Sequence, residues 1–556
     1  MEKLSIDQAL KKADLHMQKG EFLEAHALYS SLISIVSTDG SDENEVIASG
    51  TLPKDSIKQD PPSDLIEQLV NLYNSGDLSG AIKMAEILAP QYPKAFDVWN
   101  IMGAAAAQLE QFDQAIIAFQ KALEIRPADA QGYNNMGTAY KMQEQFEEAA
   151  NCYSKALELN PDYAEAYSNL GGVLQKQGNF EEAIASCHKS LVLNPNHAEA
   201  HYNLGVTLID LQEFDQAIVA LKKAISLRPD YAEAGNNLGR MYWLTENFVE
   251  AFPLIEWRWG IEQEFIGTQF KSDKPVWDGS DGEQVLVWRE QGIGDEIMFS
   301  SMFSELNKNS SKIIVECDSR LIPLYKRSFS EDIEFLDDRN EIDNYHYDSQ
   351  IALGSLPRYL RSRVEDFRHT APGWLKADPE RVHNLRTKLK ALGNDRIIGV
   401  SWSTSGTWPQ SKSRNISLDL LASHLSRIPA TFVSLQYGDT AGEILSVNGA
   451  SDINIESFEE IDLFSDIDGL AALISACDMV ISIDNATVHL AGALGVDTRV
   501  LLPFMPEERW GLGRSDSYWY DQLTLYRQEK EGDWTKPLDL LISEISKLPI
   551  GHKNNS

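Results

Sequence analysis

The stretch Asp484–Gly495, DNATVHLAGALG, holds the residue types best suited to gripping a negatively charged ligand. Asp484 ends the apolar run Met479–Ile483, the small residues Asn485, Ala486 and Thr487 follow, and His489 lies about one helical turn further on. A helix that starts just after a strand points its free N–H groups at whatever sits beyond the strand's carboxyl end. That dipole contributes about 1–2 kcal/mol at best, too little to hold a departing diphosphate. Cations are therefore required. The chain offers Lys412 and Arg414 inside SWSTSGTWPQSKSRNISLDLL (401–421), and Arg509 further on. Ser401, Ser403 and Thr404 add hydroxyls, and a basic pair in so acidic a chain suits a diphosphate. The plainer accounts are a solvated loop for 401–421 and a strand-packed helix histidine for His489.

A second candidate is EQGIGDEIMF (290–299), where Gly292 and Gly294 allow a tight turn and Asp295 projects from a helix start. The segment is not a dinucleotide fingerprint, because the third glycine is absent. An acidic residue in a first helical turn gains about 0.3–1 kcal/mol from the dipole, a sufficient reason for Asp295 by itself. Asp466-Ile-Asp468 has the form of a metal-binding pair, but its place before a helix makes N-capping the better account.

These segments need a scaffold that presents strand ends, and the second half of the chain supplies one. Apolar runs at 284–288, 312–317, 333–337, 396–402, 431–437, 479–484 and 499–502 alternate with helical patterns, which predicts parallel sheets. Two series of similar size predict two Rossmann-like lobes with a cleft between them. The region around QIALGSLPRYL reads as loop-rich. Trp257 and Trp259, in PLIEWRWGIEQEF, read as apolar caps at the junction.

The first half repeats itself. Gly103, Gly137, Gly171, Gly205 and Gly239 recur every 34 residues, as do Phe112 to Phe248, Ala115 to Ala251 and Pro93 to Pro229. Small residues let two helices approach, Phe fills the wedge between them and Pro stops the second helix, which is the tetratricopeptide pattern. GEFLEA and GDLSGA mark more worn copies upstream, separated by a polar linker. Two residues before the repeated glycines stand Asn135, Asn169, Asn203 and Asn237, with Ile101 in the earliest copy. An amide both donates and accepts, so the column fits either of two roles. It could hold an extended peptide by its backbone, or simply bridge neighbouring helices.

At 556 residues several domains are expected. A formal charge of −35 argues against nucleic acid as a partner. No run approaches the roughly 20 apolar residues of a membrane span. The start lacks an apolar signal region, and Cys152, Cys187, Cys317 and Cys477 are scattered without ligand spacing. A cytoplasmic location is therefore expected.

Taken together, GDEIMF, SWSTSG with KSRNISL, FVSLQYGD, and DNATVHLAGALG with VLLPFMPEERWGLGRSDSYWY resemble the heptosyltransferase-like transferases, glycosyltransferase family nine, over roughly Trp277–Leu548. The asparagine column resembles that of the protein O-GlcNAc transferases, where it binds acceptor polypeptide. The resemblance implies a repeat solenoid followed by an α/β GT-B domain. Expected segments are a divergent repeat (1–36), a flexible linker (37–62), the array (63–264), the two lobes (265–385 and 386–548) and a disordered tail (549–556). It also implies a bacterial, metal-independent, inverting transferase that uses a nucleotide-sugar as substrate and needs no cofactor. Asp295 takes the place of the family's proposed base. Asp484, Asn485 and His489 match its donor-contacting Asp-Thr-x-x-x-His start, with Asn485 standing where the family has Thr. Gly292, Gly294, Ser401, Ser403, Lys412, Arg414, Gln436, Ala486, Thr487 and Arg509 complete the expected donor site. An acceptor protein would lie along Asn135, Asn169, Asn203 and Asn237. Enzymes of this two-part design are associated with glycosylating surface proteins such as flagellin, and homo-oligomers are compatible with it. The competing expectations are a lipopolysaccharide or capsule glycosyltransferase docked by its repeats, and an interaction scaffold whose transferase-like domain has lost turnover.

Overall fold

The computed structural model describes residues 60–261, 269–290, 292–368, 373–394, 396–404, 413–450 and 453–548. The expected N-terminal repeat (1–36), most of the linker, the tail and Lys412 lie outside the described residues. Contacts divide the chain after Arg228 into two compact units, so the last helix pair of the repeat series belongs with the second.

In the first unit α1 (Ser63–Asn74) and α2 (Leu78–Leu88) precede four regular pairs. These are α3 (Phe96–Gln108) with α4 (Phe112–Ile125), and α5 (Ala130–Met142) with α6 (Phe146–Leu159). They continue with α7 (Ala164–Lys176) and α8 (Phe180–Leu193), then α9 (Ala198–Asp210) and α10 (Phe214–Leu227). Pro127, Pro161 and Pro195 each follow a helix cap, where a missing N–H ends the helix without penalty. The close approach at the glycines is real, and the side chains nearest them are not those of the periodic Phe. Phe112, Phe146, Phe180 and Phe214 open their helices half-buried. A Cβ on Gly103, Gly137, Gly171 or Gly205 would instead meet Phe119, Tyr153, Cys187 or Leu221, at 2.6–2.9 Å. The residues that meet the glycines stand seven places after the periodic Phe, on the face turned to the partner helix. The turn between the two helices needs a left-handed residue, met by Gly76 and Gly178 but by Glu110, Glu144 and Gln212 in the other copies.

The second unit begins with α11 (Ala232–Leu244), α12 (Phe248–Ile255) and a short turn, Glu256–Gly260. Two parallel sheets follow. The first has β1 (Gln284–Trp288), β2 (Lys312–Glu316), β3 (Ile333–Leu336) and β4 (Ser349–Ala352), in the order β3-β2-β1-β4. The second has β5 (Ile397–Ser401), β6 (Thr431–Ser434), β7 (Ile455–Glu456), β8 (Met479–Ile483), β9 (Thr498–Leu502) and β10 (Leu523–Arg527), in the order β10-β9-β8-β5-β6-β7. Val285 and Val287 face one core and Leu286 the opposite one, as a strand covered on both faces requires. β4 lies inside the stretch expected to be loop. Its Ser349 and Gln350 mask the apolar signal, yet both are buried, and Gln350 Oε1 accepts a bond from Trp288 Nε1 at 2.6 Å.

In both sheets the strand order reverses at one place, between β1 and β4 in the first and between β5 and β8 in the second. Crevices at such switch points are where open α/β sheets bind ligands. The helices that start there are α13 (Ile293–Phe299), after β1, and α21 (Ala486–Ala493), after β8. Between them in sequence lie α14 (Phe303–Asn309), α15 (Ile322–Ser328), α16 (Pro357–Leu360), α17 (Pro379–Lys390), α18 (Leu418–Leu425), α19 (Ala441–Ala450) and α20 (Ile467–Ala476), and α22 (Thr535–Lys547) closes the unit. Among the described residues no helix is long and apolar enough to cross a membrane. The four cysteines are buried and none forms a disulfide.

Candidate functional site

α13 and α21 meet at Gly294. A Cβ there would lie 3.0 Å from the His489 ring and 3.5 Å from Ala486 Cα, so only glycine allows this closeness. Gly292, at φ 81°, opens α13 and turns the chain so that Asp295 faces the crossing. Asp295 Oδ1 accepts a bond from Arg509 Nη1 at 2.5 Å. The same Nη1 lies 3.3 Å from His489 Nε2, and His489 Nδ1 lies 2.8 Å from the Tyr520 hydroxyl. Because a guanidinium only donates, Nε2 is the acceptor and the imidazole proton sits on Nδ1. Burial, with Arg509 and Arg414 adding to it, pushes the His489 pKa well below its ordinary value. The ring is neutral, and it stacks on Trp510 at 5.6 Å.

Asp484 closes the group. Burial raises its pKa against the pull of Arg509 and Arg414, whose Nη1 lies 3.5 Å from its Oδ2. Glu507, unremarked among the sequence candidates, pairs with Arg414 and lies 4.0 Å from Arg509. Burial acts to raise its pKa too, but Arg509, Arg414 and Arg240 win and hold it at about 2. Two arginines are thus ringed by three carboxylates. The signal that could have found Glu507 is positional: Glu507, Glu508 and Arg509 are three consecutive charges shortly beyond the carboxyl end of β9.

Other sequence candidates have structural duties at the switch point. Asn485 caps α21, its Oδ1 accepting from Thr487 N at 3.1 Å and Val488 N at 3.4 Å. Its Nδ2 donates to Ser401 Oγ at 2.8 Å and to the Ser403 carbonyl at 3.3 Å, tying the ends of β5 and β8 together. Gln436 Oε1 accepts from Ser401 Oγ, Trp402 N and Ser403 N, which shapes the loop after β5. Thr487 Oγ1, Asp484 Oδ2 and Arg509 Nε are different. They are buried and, among the described residues, make no hydrogen bond, although Asp484 Oδ2 keeps its ion pair with Arg414. A recess of about 120 Å³ opens beside Thr487. Its walls include Ile293 and Ile297 of α13, Ala486 and Thr487 of α21, Tyr437, and Arg320, whose guanidinium lies over the Phe464 ring at 4.8 Å.

Asp466 caps α20 through Gly469 N at 2.8 Å, and Asp468 pairs with Arg327 at 2.6 Å, so that aspartate pair serves the helix and the α15 contact. Trp257 lies against Gly235, and Trp259 is 5.3 Å from Trp288, so both tryptophans pack at the junction.

In the first unit the asparagine column divides. Asn169 Nδ2 donates to Asn134 Oδ1 at 3.1 Å, and Asn203 Nδ2 donates to the Ser168 carbonyl at 3.0 Å, so these two amides bridge neighbouring inner helices. Asn135 is half-buried and its amide makes no hydrogen bond among the described residues. Asn237, on α11, is also half-buried.

Models of known families match the repeats. The TPR repeat model matches residues 103–144 and 139–178, and the tetratricopeptide repeat model matches residues 162–230. The chain carries tetratricopeptide repeats. Protein FlbA of Caulobacter vibrioides is 30% identical over 276 residues, 46% of this chain and 46% of its own length, so the match spans about half of that relative. Among solved structures, YrrB, a TPR protein with an unusual peptide-binding site, is 26% identical with a TM-score of 0.28, and covers 31% of this chain and 90% of its own. MamA is 24% identical with a TM-score of 0.27, and covers 29% of this chain and 95% of its own.

Proposed function

We propose that the chain is an inverting GT-B glycosyltransferase that moves a sugar from a nucleotide-sugar to a protein bound by its repeats. The observation that carries this reading is the convergence of two switch points. Asp295, beyond β1, pairs with Arg509, which also contacts His489, and Asp484 pairs with Arg414 at the strand ends of the other sheet.

The roles follow from charge and access. Asp295 is 38% exposed and Asp484 only 2%, so Asp295 is the carboxylate an acceptor can reach. As the bond from the sugar's anomeric carbon to the diphosphate breaks, a new bond forms to the acceptor hydroxyl from the opposite face. The hydroxyl proton passes to Asp295, and the bonding pair leaves with the diphosphate. A general base of this kind supplies about 10²–10⁴-fold. Arg414 and Arg509 stabilise the charge growing on the leaving group by exchanging carboxylate partners for phosphate oxygens. Neutral His489, donating from Nδ1 to Tyr520, keeps Nε2 as an acceptor that orients Arg509. The repeats raise the effective concentration of the acceptor.

The test is purified protein with a panel of sugar nucleotides and a candidate acceptor protein. Donor hydrolysis or transfer is expected. Asp295→Asn should abolish transfer and leave donor affinity nearly intact, and loss of both would remove Asp295 as the base. One observation favours a second reading, an interaction scaffold without turnover: both arginines are already neutralised by carboxylates. Under that reading no sugar nucleotide is bound or consumed.

A further inference from the structure

The turn Glu256–Gly260 carries Arg258, which is 6% exposed. All five of its guanidinium N–H groups are used. Nε and Nη2 donate to the two oxygens of Glu290, each at 3.0 Å, and Nη2 donates also to Ser355 Oγ at 2.8 Å. Nη1 donates to the Ile255 carbonyl at 3.1 Å and to Glu256 at 2.7 Å. Glu290 Oε1 also accepts Gly354 N–H at 2.8 Å. One guanidinium and one carboxylate therefore join the end of the repeat series to the loop after β1 and the turn after β4. Those are the two sides of the first switch point. Glu290 stands just ahead of Gly292 and the α13 start that presents Asp295.

The inner helix of the same pair, α11, holds the other half of the site. Arg240 pairs with Glu508, which lies between Glu507 and Arg509 in the chain. Trp243 Nε1 donates to the Tyr518 hydroxyl at 3.0 Å, and that hydroxyl donates to the Glu508 carbonyl at 3.2 Å. Glu246 accepts from Arg514 at 2.7 Å. Phe248 and Phe252 of α12 belong to the same apolar core as Val285 and Ile297.

We propose that the last helix pair of the repeat series is a positioning element of the site. Arg258 sets the loop that carries Asp295, and Arg240 sets the turn that carries Arg509, so the placement of base against cation depends on both. This inference rests on the transferase reading for its catalytic consequence but not for its structural one. Lysine keeps the charge at either position and cannot reproduce the planar fork, so it disturbs geometry while sparing the buried carboxylate an unpaired charge.

The experiment uses the full chain as wild type, Arg258→Lys and Arg240→Lys. Three quantities are read: donor affinity by calorimetry with the sugar nucleotide that wild type binds, transfer kinetics, and amide exchange of residues 293–299 and 508–510. For Arg258→Lys the expected result is a kcat about 10–100-fold lower with donor affinity little changed, and faster exchange confined to 293–299. For Arg240→Lys the expected result is weaker donor binding with faster exchange at 508–510. Kinetics and exchange like wild type in both variants overturn the proposal, as does exchange that speeds up evenly across the unit, since Arg258 would then only hold the fold. A wild type that neither binds nor consumes any sugar nucleotide defeats the transferase reading instead. The exchange pattern still decides whether the helix pair positions these two segments.

Discussion

Glu296 shows how a single buried carboxylate can make this unit sensitive to pH. It neighbours Asp295 but turns inward, 1% exposed, where its Oε2 accepts Asp318 N–H at 2.8 Å. Arg289 Nη2 lies 2.9 Å from Oε1, yet among the described residues that oxygen makes no hydrogen bond, so the ion pair is poorly aligned. Burial outweighs Arg289 and pushes the pKa from 4.5 up to about 7. A carboxyl whose folded pKa is raised binds its proton more tightly in the folded chain. Its contribution to stability is complete below about pH 4.5 and is lost as the pH rises through about 7. The difference is on the order of 3 kcal/mol. Glu296→Gln should accordingly raise the melting temperature at pH 8 relative to wild type and change it little at pH 5. A lower melting temperature at pH 8 would mean that the Arg289 pair dominates after all. Asp295 and His489 were legible because each sits in a recognisable strand-end segment. Glu296 was not, since nothing in GDEIMF says which of two adjacent acids faces the core.

At the scale of elements, the crossing of α13 over α21 is the contact on which the site's geometry turns. His489 cannot yield there: it is 2% exposed, stacked on Trp510, and held through both ring nitrogens. A methyl at Gly294 would press on the ring at 3.0 Å and must part the two helices by a few tenths of an ångström. Gly294→Ala is therefore expected to cost about 1–3 kcal/mol in urea unfolding, the usual penalty for overfilling a rigid contact. Unchanged stability would show that the helices are free to separate. The sequence revealed that a glycine stood at a helix start but not which helix it approached, because that partner lies almost two hundred residues away. Similar limits hid three strands. β4 carries buried Ser349 and Gln350, β7 has two residues, and β10 alternates as LTLYR without a flanking turn signal. Where most of a strand was apolar, as in QVLVW or MVISI, its span was readable within a residue.

For the whole molecule the question is whether the repeats hold the acceptor, and the structure separates positions that the sequence treats alike. The 34-residue period fixed the helix pairs closely because each copy solves the same packing problem with neighbours of the same kind. It could not say which side chains remain available, since one helix later a donor may or may not be within reach. Asn169 and Asn203 spend their Nδ2 groups on the preceding inner helix, whereas Asn135 spends none. Replacing Asn169 or Asn203 by Ala should therefore lower array stability by about 1 kcal/mol each, the worth of a typical buried hydrogen bond. Any loss of acceptor binding in those variants mixes two effects. Asn135→Ala removes no bond within the array, so its melting temperature should match wild type. If the column grips a peptide backbone, the same variant should weaken binding of an acceptor protein, read by calorimetry, while turnover of a small acceptor is spared. Equal affinity in wild type and Asn135→Ala, alongside destabilised Asn169 and Asn203 variants, would make the column a set of helix bridges and move acceptor recognition elsewhere on the array.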